Sequence, residues 1–179
     1  MDHPFSPDDL VVLRLDGPPE GDFDCGRTEQ TAFFRERAYH DHMSRLSETY
    51  RYYVRGLLAG FATVCKDALQ LGRRERDRSI TYQKVSAVKL AQLGVALRFQ
   101  GMGLGRLIVA DIINRARRDT AFPGRYVTVD ARPDVAGWYE LQGFVRNELD
   151  QQTRQRQAIE HGRDPASIAV SMRYDLGPR

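Results

Sequence analysis

Apolar positions recur along this chain in two rhythms, one suited to strands and one to helices. Residues 10–15, Leu-Val-Val-Leu-Arg-Leu, predict a first strand ended by Gly17-Pro18-Pro19. Residues 49–55 and 57–64 are β-rich runs joined near Gly56, as in a hairpin. Between these strands, Thr28 is placed to cap a helix with apolar positions at Ala32, Phe33 and Phe34, and a second helical stretch runs through His42 and Leu46. Residues 86–97 predict a strand that leads into a turn with Gly101, Gly103 and Gly105. After the turn, Leu104, Leu107, Ile108, Ile112 and Ala116 repeat at helical spacing, which lays one apolar face on a sheet. Residues 126–131 predict the next strand, and the strand–helix–strand succession predicts a right-handed βαβ unit with parallel strands. A short helix ends at Gly143, Phe144 enters another strand, and residues 168–174 form the last one. Residues 67–82 read as a loop, and residues 148–165 as a loop or partial helix. The pattern predicts an α/β (α+β) protein with a single domain over residues 1–179.

Composition narrows the picture modestly. Hydrophobic residues at 41% and charged residues at 28% suit a globular domain. No apolar run approaches the roughly 20 residues of a membrane span, and the acidic start lacks a basic-then-apolar leader, so a cytoplasmic protein is expected. Cys25 and Cys65 are the two cysteines, without a nearby Cys/His pair at zinc spacing, which predicts free thiols and no metal site. The net charge is +3, but arginines cluster at Arg73, Arg74, Arg76 and Arg78 and again at Arg115, Arg117, Arg118 and Arg125. Such clusters suit nucleic-acid phosphates or a solvated face equally, and Glu75 and Asp77 interrupt the first. Alternating Tyr and Phe in residues 49–64 read as strand packing rather than as base-stacking platforms.

The glycine turn at residues 92–106 carries the most chemistry. At the carboxyl end of a strand and the start of a helix, it offers unpaired amides and a partial positive charge to an anion, with Arg98 and Arg106 on either side. Gly105-Arg106-Leu107 lacks the Gly-Lys-Ser/Thr ending of a Walker A loop, and the glycine spacing does not make a dinucleotide fingerprint. Gln100, Gly103 and Gly105 fit Gln/Arg-x-x-Gly-x-Gly/Ala, which resembles the acetyl-CoA signature of the GNAT (GCN5-related) N-acetyltransferases. Phe23-Asp24-Cys25-Gly26, just before a helix, is similar to a segment of one GNAT branch, which includes toxins of bacterial toxin–antitoxin pairs that acetylate aminoacyl-tRNA. Trp138-Tyr139-Glu140-Leu141-Gln142-Gly143-Phe144 resembles the Phe/Trp-Tyr-x-x-x-Gly-Phe element of the same superfamily. Gly94 and Ala96 stand where Ala and Asp are more usual in it.

The resemblance implies a mixed central sheet with helices on both faces and an acetyl-CoA site at splayed parallel strands. It further implies that backbone groups of Leu93 to Val95 pair with the pantetheine arm and that the Val95 amide polarises the acetyl carbonyl. Arg98, Gln100, Gly101, Gly103, Leu104, Gly105 and Arg106 would hold the pyrophosphate, with coenzyme A as product. Tyr139 would be the general acid for the leaving thiolate, a reading favoured over plain hydrophobic packing beside Trp138. The base is open among Asp130, Glu140, His40, His42 and water. The implied acceptor is the amino group of aminoacyl-tRNA, set against a small amine or a protein N-terminus. A different class is an acetyl-CoA- or tRNA-binding protein without turnover. An antitoxin and a homodimer partner also belong to the resemblance, and a membrane does not.

Overall fold

The computed structural model describes residues 5–19, 21–119, 121 and 123–177. Among the described residues, seven strands form a mixed sheet: β1 (Leu10–Arg14), β2 (Glu48–Val54), β3 (Leu57–Gln70), β4 (Lys84–Val95), β5 (Tyr126–Ala131), β6 (Val145–Arg146) and β7 (Val170–Asp175). Their order is β1-β2-β3-β4-β5-β7-β6. The helices are α1 (Thr28–Ala32), α2 (Ala38–Met43), α3 (Leu104–Arg118), α4 (Ala136–Leu141) and α5 (Glu148–Glu160). This is the α/β fold expected from the apolar pattern. The chain divides into two compact units, one made of the chain up to Cys65 with Leu90–Asn114, the other of Lys66–Lys89 with Arg115–Arg179.

In the first unit, β1 pairs antiparallel with β2, and β2 with β3. The tight turn between β2 and β3 puts both Arg55 (φ 49°) and Gly56 (φ 76°) in the left-handed region, the geometry whose twist matches paired strands. Thr28 is not the helix cap. Arg27 holds that position with extended backbone, and its carbonyl accepts from the Thr31 amide at 2.9 Å. The Thr31 hydroxyl serves the preceding segment instead, lying 3.3 Å from the Cys25 amide. Helix α1 then widens into a π turn over Phe33–Arg37 before α2 continues it. Phe34 from that turn stacks on Phe61 of β3, with ring centroids 4.5 Å apart.

The second unit corrects two sequence expectations. Residues 67–70 are strand rather than loop, because Asp67 is satisfied within the sheet by the Thr128 hydroxyl at 2.6 Å. Leu69 and Leu71 meanwhile enter a core with Ala87 and Tyr126, capped by Ile80 and Val85. Residues 148–160 are a full helix, α5, although Ala158 is its only buried residue. What holds this polar helix is Glu75, whose side chain is 7% exposed. Its carboxylate accepts from the Glu148 amide (2.9 Å) and the Leu149 amide (3.2 Å), the first turn of α5. It also accepts from the Gly72 amide (3.0 Å) and from Arg173 (2.9 Å). Unpaired amides at a helix start need acceptors and favour an anion, and a distant loop supplies both. Asn147, fully buried, extends the network by bonding Ser171 Oγ at 2.9 Å and accepting from Arg173 at 2.7 Å.

Burial opposes ionisation of Glu75, but the three amides and Arg173 outweigh it and hold the carboxyl below the ordinary 4.5. A folded-state value below the unfolded one means stability that is present above pH 4.5 and lost as pH falls through the folded value. We therefore expect Glu75→Gln to lower unfolding free energy at pH 7 by about 1–3 kcal/mol. Urea titrations should show the gap between variant and parent closing below the carboxylate range, and a gap independent of pH would refute the assignment.

Candidate active site

The site begins with a close backbone approach in the first unit. A Cβ on Gly60 would lie 2.8 Å from the Gly94 carbonyl oxygen and 2.8 Å from Ile108 Cδ1, and a Cβ on Gly94 would lie 2.5 Å from the Phe61 ring. Side chains at either glycine would push β3, β4 and α3 apart. Gly94 thus stands in place of the more usual Ala because Phe61, itself fully buried, fills that volume.

Strand β4 ends at Val95, two residues earlier than the sequence suggests. The Ala96 amide still bonds to Ala59 O at 2.8 Å, after which Leu97–Phe99 make a 3-10 turn. Gly101 (φ 74°) and Gly103 (φ 83°) follow in the left-handed region, which glycine enters without a Cβ penalty. The Gly103 carbonyl accepts from the Arg106 and Leu107 amides at 3.1 and 3.3 Å, so it opens α3. Leu104 is buried at that start with Ile108 and Ile112 and fixes the helix on the core. The amides of Leu104 and Gly105 precede any intrahelical acceptor and lie at the positive end of a 15-residue helix. Arg98 and Arg106 are exposed on either side. A backbone with two left-handed glycines, a helix start and flanking cations fits a pyrophosphate. Among the sequence-predicted residues, Leu93, Val95, Arg98, Gln100, Gly101, Gly103, Leu104, Gly105 and Arg106 form this one continuous stretch.

The Gln100 side chain is already engaged. Its Nε2 donates to Val95 O at 2.9 Å and to Cys25 O at 2.8 Å. The Leu97 amide donates to Asp24 O at 3.0 Å, and Gly26, at φ 71°, lies where a Cβ would come 2.8 Å from Leu97 Cδ2. Asp24 in turn accepts from the Gly26 amide at 2.7 Å. The sequence offered Phe23-Asp24-Cys25-Gly26 as a family marker, and no spacing in it signals that it abuts the glycine turn.

Tyr139 lies on α4 in the second unit. It is 6% exposed, with Trp138 and Phe144 edge-on at 4.9 and 5.4 Å. Burial pushes its phenol up to about 12. Gly143 ends the helix at φ 89°, where a Cβ would stand 3.1 Å from Tyr174. The candidate bases are mostly committed elsewhere. Asp130 pairs with Lys89 (2.5 Å) and Arg154 (2.8 Å), and Glu140 pairs with Arg146 at 2.8 Å. His40 faces Asp41 at 3.4 Å, and His42 buries an Nδ1 without a hydrogen-bond partner among the described residues. Among the described residues there is no cluster able to hold a metal ion, and no helix is long and apolar enough to cross a membrane.

The sequence model of the acetyltransferase (GNAT) domain matches residues 28–161, and the chain belongs to this family. Acetyl-CoA is the acetyl donor of its enzymes, and the glycine turn fits it. Many solved structures share the fold, and three of them illustrate it. AtaT complexed with acetyl-methionyl-tRNAfMet is 21% identical over 77% of this chain and 88% of that one, with a TM-score of 0.69. A structure described as a bacterial toxin is 20% identical over 93% and 90%, with a TM-score of 0.71. A tyrosine-to-phenylalanine mutant of KacT is 18% identical over 94% and 95%, with a TM-score of 0.70. No curated protein sequence matches.

Gly94→Ala is expected to cost about 1–3 kcal/mol by driving a methyl into Phe61. Phe61→Leu should recover part of that loss, so a double-mutant cycle in urea should give a coupling of about 1 kcal/mol, and simple additivity would disprove the contact.

Proposed function

We propose that this chain transfers the acetyl group of acetyl-CoA to the amino group of an aminoacyl-tRNA, as a toxin paired with an antitoxin. The observation that carries the reading is the glycine turn, where Gly101, Gly103 and the open start of α3 form an anion cradle beside the end of β4. The acceptor follows from likeness to AtaT with its acetyl-methionyl-tRNAfMet, and the antitoxin from AtaT bound to the C-terminus of AtaR. An acceptor of this kind places the work in the cytoplasm.

Acetyl-CoA supplies an acyl group already activated as a thioester, so a neutral amine suffices as nucleophile and no covalent enzyme intermediate is needed. The amides of Leu104 and Gly105 would hold the pyrophosphate, with Arg98 and Arg106 adding charge. Leu93 and Val95 would offer backbone groups to the pantetheine arm. The Val95 carbonyl accepts from Gln100, and the Val95 amide would take the oxyanion role.

Tyr139 keeps its proton. With its phenol pushed to about 12 and an ordinary thiol near 8.5, complete transfer to a thiolate runs uphill by about 5 kcal/mol at the outset. Tyr139 would therefore act first as a hydrogen-bond donor to developing negative charge; its proton would pass to the departing sulfur as the attacking nitrogen releases one to water, and solvent would restore the phenol. AtaT and KacT structures were both solved as single tyrosine-to-phenylalanine mutants, which adds weight to a tyrosine in this role. Asp130 and Glu140 are tied to cations, which leaves His40, His42 and water as proton acceptors from the amine.

The second unit offers a nucleic-acid face in the loop between β3 and β4. Arg73, Arg74 and Arg78 are exposed there, and Tyr82 is 77% exposed. Arg76 donates to Thr81 O at 3.4 Å. Arg125 is held by Asp77 and Asp175 at 3.0 Å, and Arg117 by the Tyr174 hydroxyl at 3.2 Å. Within the first cluster the phosphate contacts would fall on Arg73, Arg74 and Arg78, beside an aromatic ring open to base stacking, and Arg118 of the second cluster is likewise exposed.

Tyr139→Phe should lower kcat about 10²–10⁴-fold with little change in acetyl-CoA affinity, and full turnover by this variant would remove the acid role. Replacing Arg73, Arg74 and Arg78 together by Ala should raise KM for aminoacyl-tRNA and flatten its salt dependence by roughly 0.7–0.9 per lost phosphate contact. The KM for acetyl-CoA should stay unchanged. Absence of acetyl transfer to any aminoacyl-tRNA at low salt would overturn the acceptor.

A further inference from the structure

We infer that Gln100 is a positioning residue, and that with it the Asp24-Cys25-Gly26 segment forms a brace that sets the shape of the cofactor turn. The inference rests on the reading of that turn as the acetyl-CoA site. A phosphate ligand would need the Gln100 amide hydrogens pointed at the anion. Both hydrogens instead have main-chain acceptors on opposite sides of a joint, Val95 O at 2.9 Å and Cys25 O at 2.8 Å. The first closes the end of β4 onto the 3-10 turn, and the second ties that turn to the chain just before α1.

Five further contacts make the joint rigid. The Leu97 amide donates to Asp24 O at 3.0 Å. Gly26, left-handed at φ 71°, admits Leu97 Cδ2 where a Cβ would lie at 2.8 Å. Asp24 fixes the bend by accepting from the Gly26 amide at 2.7 Å, and Thr31 returns to the segment through its hydroxyl, 3.3 Å from the Cys25 amide and 3.4 Å from Asp24 Oδ1. The amides beyond Gln100 therefore begin from a fixed point, and α1 is held by the same joint. Preorganised donors bind an anion more tightly because no ordering remains to be done on binding.

Gln100→Met keeps side-chain length and deletes both donors, and Gly26→Ala attacks the joint from the far side, through Leu97, without touching Gln100 or the glycines of the turn. Isothermal titration of the full chain with acetyl-CoA should show each variant binding roughly tenfold more weakly. The double variant should be little worse than either single one, because both break one joint. In the unaltered chain, acetyl-CoA should slow hydrogen exchange at the Leu97 amide, and Gln100→Met should abolish that protection. Wild-type affinity in Gln100→Met overturns the inference. So does a loss confined to Gln100→Met with Gly26→Ala normal, which would make Gln100 a direct ligand, and so does an unprotected Leu97 amide in the unaltered chain. If the unaltered chain binds no acetyl-CoA, the cofactor reading itself fails and this inference with it.

Discussion

The cofactor end of the first unit depends on a backbone contact that only the absence of side chains permits. Gly60 brings β3 against the Gly94 carbonyl and at the same time lets Ile108 of α3 settle onto the sheet. The helix whose first amides form the anion cradle is therefore seated by a missing methyl group on β3. Phe61, the next residue, takes the volume over Gly94 and is itself stacked by Phe34 from the π turn. An inserted turn of wider bore brings a long apolar side chain to a place that regular helix geometry would miss, and π turns often mark such adjustments.

Charge plays a different part in the second unit. Glu75 ends as a helix cap rather than as an interruption in a basic run, and Asp77 binds Arg125. The acidic residues in that loop are its fastenings, and three arginines remain directed outward. Ionised groups inside a protein are tolerated where each has partners, and Glu75 has three amides and a guanidinium. Asp130 follows the same rule, because Lys89 comes from β4 and Arg154 from α5.

What could be read from the sequence is what repeats locally. β5 occupies the expected residues because its run of Val and Thr is buried almost throughout, and α3 begins at Leu104 because its apolar spacing is regular. The glycine turn was legible because two of its glycines adopt conformations that other residues avoid. By contrast α5 has a single buried residue and so no apolar stripe to announce it, and residues 67–70 look polar until Thr128 is placed beside Asp67. Thr28 matched a cap pattern, yet Arg27 took the position because the segment before it is fixed by Asp24 and Gly26. The engagement of Asp130, one of several bases left open, was hidden for the same reason: its cations lie 41 and 24 residues away in sequence.

The Gln100 contacts also change what the first position of the Gln/Arg-x-x-Gly-x-Gly/Ala pattern asks of a side chain. Two carbonyls must be bridged from one end of a flexible stem. A primary amide does this with two fixed hydrogens, and a guanidinium does it with its planar fork. Charge is immaterial to the task, so a neutral residue and a cation are interchangeable there. Lysine, with the same charge as arginine but a freely rotating, strongly hydrated ammonium, is the poorer substitute. The alternation that looks like a tolerance for charge at a phosphate site is, on this geometry, a requirement for paired planar donors.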